Sequence, residues 1–180
     1  ATLPLILGTK GDLSIVSAYF EATSGLTTTG ATIFSDLSEE YYSILFYRGL
    51  LQWIGGLGII VLAIALMPLL GVGGMQLYRG ETQGPINQSK LRPKIAETAM
   101  VLVYIYLILT LLCFLSYFTA GMEYFDAVVH SFTTIAIGGF SNYNESFAFF
   151  NNNTIYILAV VFMFISGISF SLHYLSFSNF

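Results

Sequence analysis

The chain has 180 residues, of which 56% are hydrophobic and only 9% charged, and its formal net charge is −4; its mean hydropathy is +0.76. Soluble domains carry roughly 25% charged residues, so this composition excludes an ordinary water-soluble domain and points to the lipid bilayer as solvent. Six basic residues against ten acidic ones also argue against a nucleic-acid partner.

In chain order, the opening ATLPLILGTKGD has an apolar stretch too short to span and no basic segment ahead of it, so it does not read as a signal peptide. With no initiating Met, the expectation is a piece of a longer chain. Next comes IVSAYFEATSGL, short and amphipathic, followed by TTTGATIF. Three threonines and a glycine are poor material for a helix interior and suit a loop that displays its backbone.

Three long uncharged runs follow, Gly49 to Tyr78, Thr98 to Met122 and Ser146 to Phe180. On them, 45–70, 97–118 and 153–175 are predicted to span the membrane, because each is apolar nearly all round and long enough for a helix to cross the hydrocarbon. Gly55, Gly56 and Gly58 in the first predict close helix packing. Pro68 predicts a kink or an end there. Cys113 is the single cysteine, lies within the second run and reads as apolar filler, so no intrachain disulfide can form.

Four bases, Arg79, Lys90, Arg92 and Lys94, cluster between the first and second spans with Glu81 and Glu97, giving that connector a net charge of +2. The positive-inside rule makes residues 71–97 cytoplasmic. The remaining segments are then outside, and Asp12, Glu21, Asp36, Glu39, Glu40, Glu123, Asp126 and Glu145 against Lys10 and Arg48 give that face −6. A face of this sign concentrates cations, at a strength that salt screens.

Sliding the chain until Ala22 falls on Ser131 lays ATSGLTTTG (22–30) over SFTTIAIGG (131–139) and pairs Gly30 with Gly139, Tyr47 with Tyr156, Gly58 with Gly167 and Ile59 with Ile168. A duplicated unit follows: a short helix, a loop and a full span. MEYFDAVVHSFTT leads into IAIGGFSNY as IVSAYFEATSGL leads into TTTGATIF, and each lead-in carries an acid, Glu21 in one and Asp126 in the other. Both lead-ins are too short to cross, which predicts re-entrant helices returning as extended loops. Unwound backbone at membrane depth is tolerated only when buried in protein or lining a water-filled cavity. Rings of backbone oxygens that replace a cation's hydration shell are one such use, and a helix C-terminus aimed at the ion adds partial negative charge.

The runs SGLTTTGATIF, QWIGGLGIIVLAIALMPLLGVGGMQLYRGET, GPINQSKLRPKIAETA and HSFTTIAIGGFSNY resemble the bacterial TrkH-type members of the TrkH/KtrB/HKT superfamily of potassium transporters. The resemblance covers nearly the whole chain. It implies an all-α membrane protein of repeated span/pore-loop/span units arranged like a potassium channel, of which this chain holds the latter part of the first repeat and all of the second. It divides the chain into 1–71, a cytoplasmic connector at 72–94, and 95–180. The filter residues it implies are Thr28, Thr29 and Gly30 in the first loop and Ile137, Gly138 and Gly139 in the second, supported by Thr27, Ala31, Ala136 and Phe140. Potassium is the transported ligand, with no cofactor. Implied partners are membrane lipid, the other repeats of the parent chain, a second copy in a homodimer, and a cytoplasmic NAD- or ATP-binding regulatory subunit of the TrkA type docking near residues 71–97. The implied location is the bacterial inner membrane, with the filter loops periplasmic.

The second loop lacks the hydroxyls of the first and can offer backbone oxygens alone, so four-fold chemical symmetry is not expected. His130, at the opening of the second pore loop, and His173 are assigned to packing or interfacial hydrogen bonding. An intramembrane enzyme is disfavoured, since no paired carboxylates, Ser/His arrangement or metal motif lies at one depth. The alternative from another class is a non-conducting membrane scaffold or anchor subunit. Binding of potassium or rubidium would separate the two.

Overall fold

The computed structural model describes residues 1–10, 13–70 and 88–168, with side chains described outside 60–99. Among the described residues six α-helices succeed one another: α1 (Thr2–Gly8), α2 (Ile15–Leu26), α3 (Tyr42–Leu70), α4 (Gln88–Thr119), α5 (Tyr124–Ile135) and α6 (Asn153–Gly167), with a 3₁₀ turn at Ser146–Phe150 ahead of α6. No strand occurs among the described residues.

The three predicted spans fall on α3, α4 and α6. α4 contains Met100–Thr119, whose 20 residues at a mean hydropathy of 2.4 are long and apolar enough to cross a bilayer. α4 begins at Gln88, so residues 88–94 of the expected connector are helical; residues 71–87, His173 and the rest of 169–180 lie outside the described residues. Pro68 lies inside α3 rather than ending it.

The short helices are the duplicated units. α2 and α5 are each 12 residues long. They start at Ile15 and Tyr124, positions that the shift superposing Gly30 on Gly139 also superposes. Ser14 caps α2 by accepting a hydrogen bond from the Ser17 amide at 3.1 Å. In α5, Asp126 sits in the first turn, where the helix dipole favours an acid. Leu5, Ala18, Ala22, Ile44 and Leu51 form a core joining α1, α2 and α3. A second core, with Tyr106, Cys113, Tyr117, Ala127, Ile135, Ile155 and Ala159, joins α4, α5 and α6. Cys113 is fully buried there.

Glycines let α3 approach both α2 and α5. A Cβ on Gly55 would strike the Leu26 carbonyl at the end of α2, and one on Gly56 would lie 3.2 Å from the Ala136 Cβ just after α5. Gly58 is different: a Cβ there meets nothing within 4 Å. Among the described residues, the close approach is therefore made at Gly55 and Gly56.

Candidate functional site

α2 and α5 unwind in the same way. The Thr28 amide donates to the Gly25 carbonyl at 3.0 Å and the Thr29 amide to the Ser24 carbonyl at 2.9 Å; at the equivalent positions of the second copy, Ile137 donates to Thr134 at 3.0 Å and Gly138 to Thr133 at 2.8 Å. This is the Schellman pattern, in which the residue after the cap turns left-handed. Glycine normally takes that place. Here it is Thr28, at φ 53°, and Ile137, at φ 52°. A β-branched residue at positive φ is a genuine outlier, costing of order 1–3 kcal/mol, and such strain collects at functional sites. Two residues later the backbone is left-handed again, at Gly30 (φ 79°) and Gly139 (φ 83°).

The two loops meet glycine to glycine. A Cβ on Gly30 would overlap the Gly138 carbonyl oxygen and come within 3.4 Å of the Gly139 Cα, while one on Gly139 would sit 3.9 Å from the Gly30 Cα. Gly30, Gly138 and Gly139 are thus brought together. Thr27, Ala31, Ala136 and Phe140 lie beside them. The Thr27 hydroxyl donates to the Thr23 carbonyl at 2.8 Å and pairs with the Thr29 hydroxyl. Ala31 gives its carbonyl to the Ser24 hydroxyl at 2.6 Å. Ala136 continues the last turn of α5 and packs toward Gly56. Phe140 is buried, with its ring beside Gly25.

Each loop is strapped back to the short helix before it, at matching positions, by different chemistry. In the first, the Thr32 hydroxyl donates to Glu21 Oε1 and the Ile33 amide to Oε2, both at 2.9 Å. In the second, His130 Nε2 and the Ser141 hydroxyl are 3.0 Å apart, and Nδ1 lies 2.9 Å from the Asp126 carbonyl. The repeat therefore equates Glu21 with His130, not with Asp126. His130 belongs to the helix rather than the loop, and its ring packs edge-on against Phe147 and Phe150. Asp126 holds the returning chain instead, accepting from Asn142 Nδ2 at 2.8 Å and from the Tyr143 hydroxyl at 2.7 Å. Burial first, and this carboxylate second, push the Tyr143 phenol above its ordinary range.

Two residues that the sequence analysis does not assign to the site join the loops. Arg48, placed above among the solvated outer charges, is 1% exposed inside α3. Its Nε donates to Glu21 Oε1 at 2.8 Å, Nη2 to the Thr32 hydroxyl at 3.0 Å and Nη1 to the Ser141 carbonyl at 3.2 Å. Its guanidinium lies 4.3 Å from the Phe140 ring centroid. Glu21 and Asp126 are likewise buried, so all three leave the count of outer-face charge. One turn along α3, Gln52 donates from Nε2 to the Gly138 carbonyl at 2.6 Å and accepts from the Phe140 amide at 3.1 Å.

Above the glycines a cavity of about 210 Å³ is lined by residues of both loops, among them Gly30, Thr32, Gly139 and Ser141. Asn144 closes the loops on each other, accepting from the Leu37 amide at 2.9 Å and donating to Asp36 at 3.2 Å. The Ser38 hydroxyl and amide, with Asn144, hold the Asp36 carboxyl below its usual range.

The family model of TrkH, a cation transport protein, matches residues 1–180. Relatives include the Trk system potassium uptake protein TrkH of Escherichia coli K12, 53% identical over 96% of this chain and 36% of that protein. The protein of the same name from Vibrio parahaemolyticus is 51% identical over 99% and 37%. The chain therefore spans a little over a third of the length of the curated relatives it matches. The crystal structure of the potassium transporter TrkH from Vibrio parahaemolyticus superposes with a TM-score of 0.79 at 48% identity, covering 93% of this chain and 32% of that one. With its whole length matched and its helices superposing on a solved member, this chain belongs to the TrkH family of cation transporters and is an all-α membrane protein.

Proposed function

We propose that this chain supplies two of the four walls of a potassium-selective pore, with Thr28, Thr29, Gly30, Ile137, Gly138 and Gly139 at the filter. One observation carries the reading. Two loops related by a single sequence shift leave their helices by the same hydrogen bonds, turn left-handed at the same positions and touch at Gly30 and Gly139. Main chain so exposed at membrane depth needs a polar partner, and a dehydrated potassium ion is one that a membrane pore supplies. The C-termini of α2 and α5 adjoin the loops and contribute partial negative charge there.

The names of the relatives as potassium uptake proteins support the ion. Two loops cannot close a four-sided filter, so conduction belongs to the intact parent protein. In this reading it sits in the bacterial inner membrane as a homodimer, with the loops periplasmic and residues 71–97 facing a TrkA-type regulatory subunit in the cytoplasm. The test is rubidium and sodium flux through the intact protein carrying Gly30→Ser. Its added side chain would meet the Gly138 carbonyl, and discrimination against sodium is expected to loosen. A rubidium-to-sodium ratio equal to wild type overturns the assignment.

A further inference from the structure

Gln52 is fully buried on α3, and both ends of its amide are used by one short stretch of the second loop, Gly138 to Phe140. The Gly138 oxygen therefore points toward α3 and lies against the Gly30 Cα, in the seam between the two loops. The fit around the amide is close: a Cβ on Gly138 would overlap Gln52 Cδ and Oε1. The second copy offers no such device. The position equivalent to Gln52 is Val161, which is 45% exposed and carries no hydrogen-bonding group.

We propose that Gln52 is a positioning residue for ion selectivity: its amide holds the Gly138 peptide turned toward α3, so the second loop withholds that oxygen from the ion path. The inference rests on the filter reading above and sharpens it, because the repeats then present unequal sets of oxygens. Releasing the peptide lets the Gly138 carbonyl rotate toward the path and changes what a dehydrated cation meets.

The experiment measures rubidium uptake and its competition by sodium in liposomes holding the intact protein, with Gly30→Ser as a parallel arm. Gln52→Leu, similar in size and without hydrogen bonds, is expected to shift the apparent KM ratio of rubidium to sodium by about tenfold, the equivalent of one ordinary hydrogen bond. A variant that merely loosened packing would lower the rate and leave the ratio unchanged. If Gly30→Ser moves the ratio and Gln52→Leu does not, the role of Gln52 is overturned while the filter stands; if neither moves it, the filter reading falls as well. Should Gln52→Leu fail to fold, thermal unfolding in rubidium reads the same geometry. Gly138→Ala is expected to lose protection by rubidium and the pair Gly138→Ala/Gln52→Ala to regain it. A pair no better protected than the single variant overturns the proposal.

Discussion

Removing Arg48 is the most searching test of how the two loops are held. Arg48→Met takes away three donated hydrogen bonds and leaves Glu21, 0% exposed, without its counter-charge. The carboxylate keeps the Thr32 hydroxyl and the Ile33 amide, each at 2.9 Å, so it is not stripped of every partner. Breaking one side of a buried ion pair costs about 3–5 kcal/mol, mostly from the stranded charge. The double variant Glu21→Gln/Arg48→Met removes that charge while the Gln carbonyl still accepts from the loop. Its loss should fall to about 1–2 kcal/mol, the worth of one or two neutral hydrogen bonds. The double variant is therefore expected to be more stable than Arg48→Met alone by about 2 kcal/mol. The assay is equilibrium unfolding of the intact protein in mixed micelles, comparing both singles with the double. If Arg48→Met proves no more damaging than the double variant, the pair is not the strut described here.

Three further outcomes follow from the same geometry. Gly30→Ala places its methyl in the Gly138 carbonyl at φ 79°, whereas Gly139→Ala at φ 83° meets only ordinary contact; the first should disturb rubidium uptake and its discrimination against sodium more than the second, and equal effects would refute the seam. Thr28→Gly and Ile137→Gly relieve a β-branched residue at positive φ, so each should raise the melting temperature, by about 1 kcal/mol of stability, and a fall of that size would contradict the strain. Because Asp36 is held below the ordinary carboxylate value of 3.8, its contribution to the outer loops is present above that pH and lost as pH falls through its lowered pKa; Asp36→Asn should erase this acid dependence of loop protection in hydrogen exchange, and an unchanged profile would show that Asp36 is not its source.

The duplicated units are readable in the sequence because a repeat constrains both copies at once. The shift that rests on a few identities around Gly30 and Gly139 is kept by helix starts, loop hydrogen bonds and backbone torsions alike. Chemistry set in an apolar background is harder to see. Arg48 and Gln52 stand four positions apart in α3, one above the other on a single face. That polar pair in an otherwise apolar run is the available signal, since ionisable groups inside a span are costly and functional. Counting Arg48 with the outer loops hides it. The shift that lays Ala22 on Ser131 also lays Glu21 on His130, but an acid and an imidazole look unrelated until their bonds to Thr32 and Ser141 show the shared role. The 3₁₀ turn at Ser146–Phe150 has no periodic pattern to reveal it; it brings Phe147 and Phe150 onto the His130 ring.

The unlike straps bear on descent. The two units share one backbone course, yet one fastens its loop with a carboxylate and the other with an imidazole. The acid ties its copy to a distant arginine, while the position equivalent to Arg48 in the other copy is Ile157, 64% exposed. Substitutions at Glu21 and Arg48 should accordingly travel together through the lineage, whereas His130 is free to drift with its own loop.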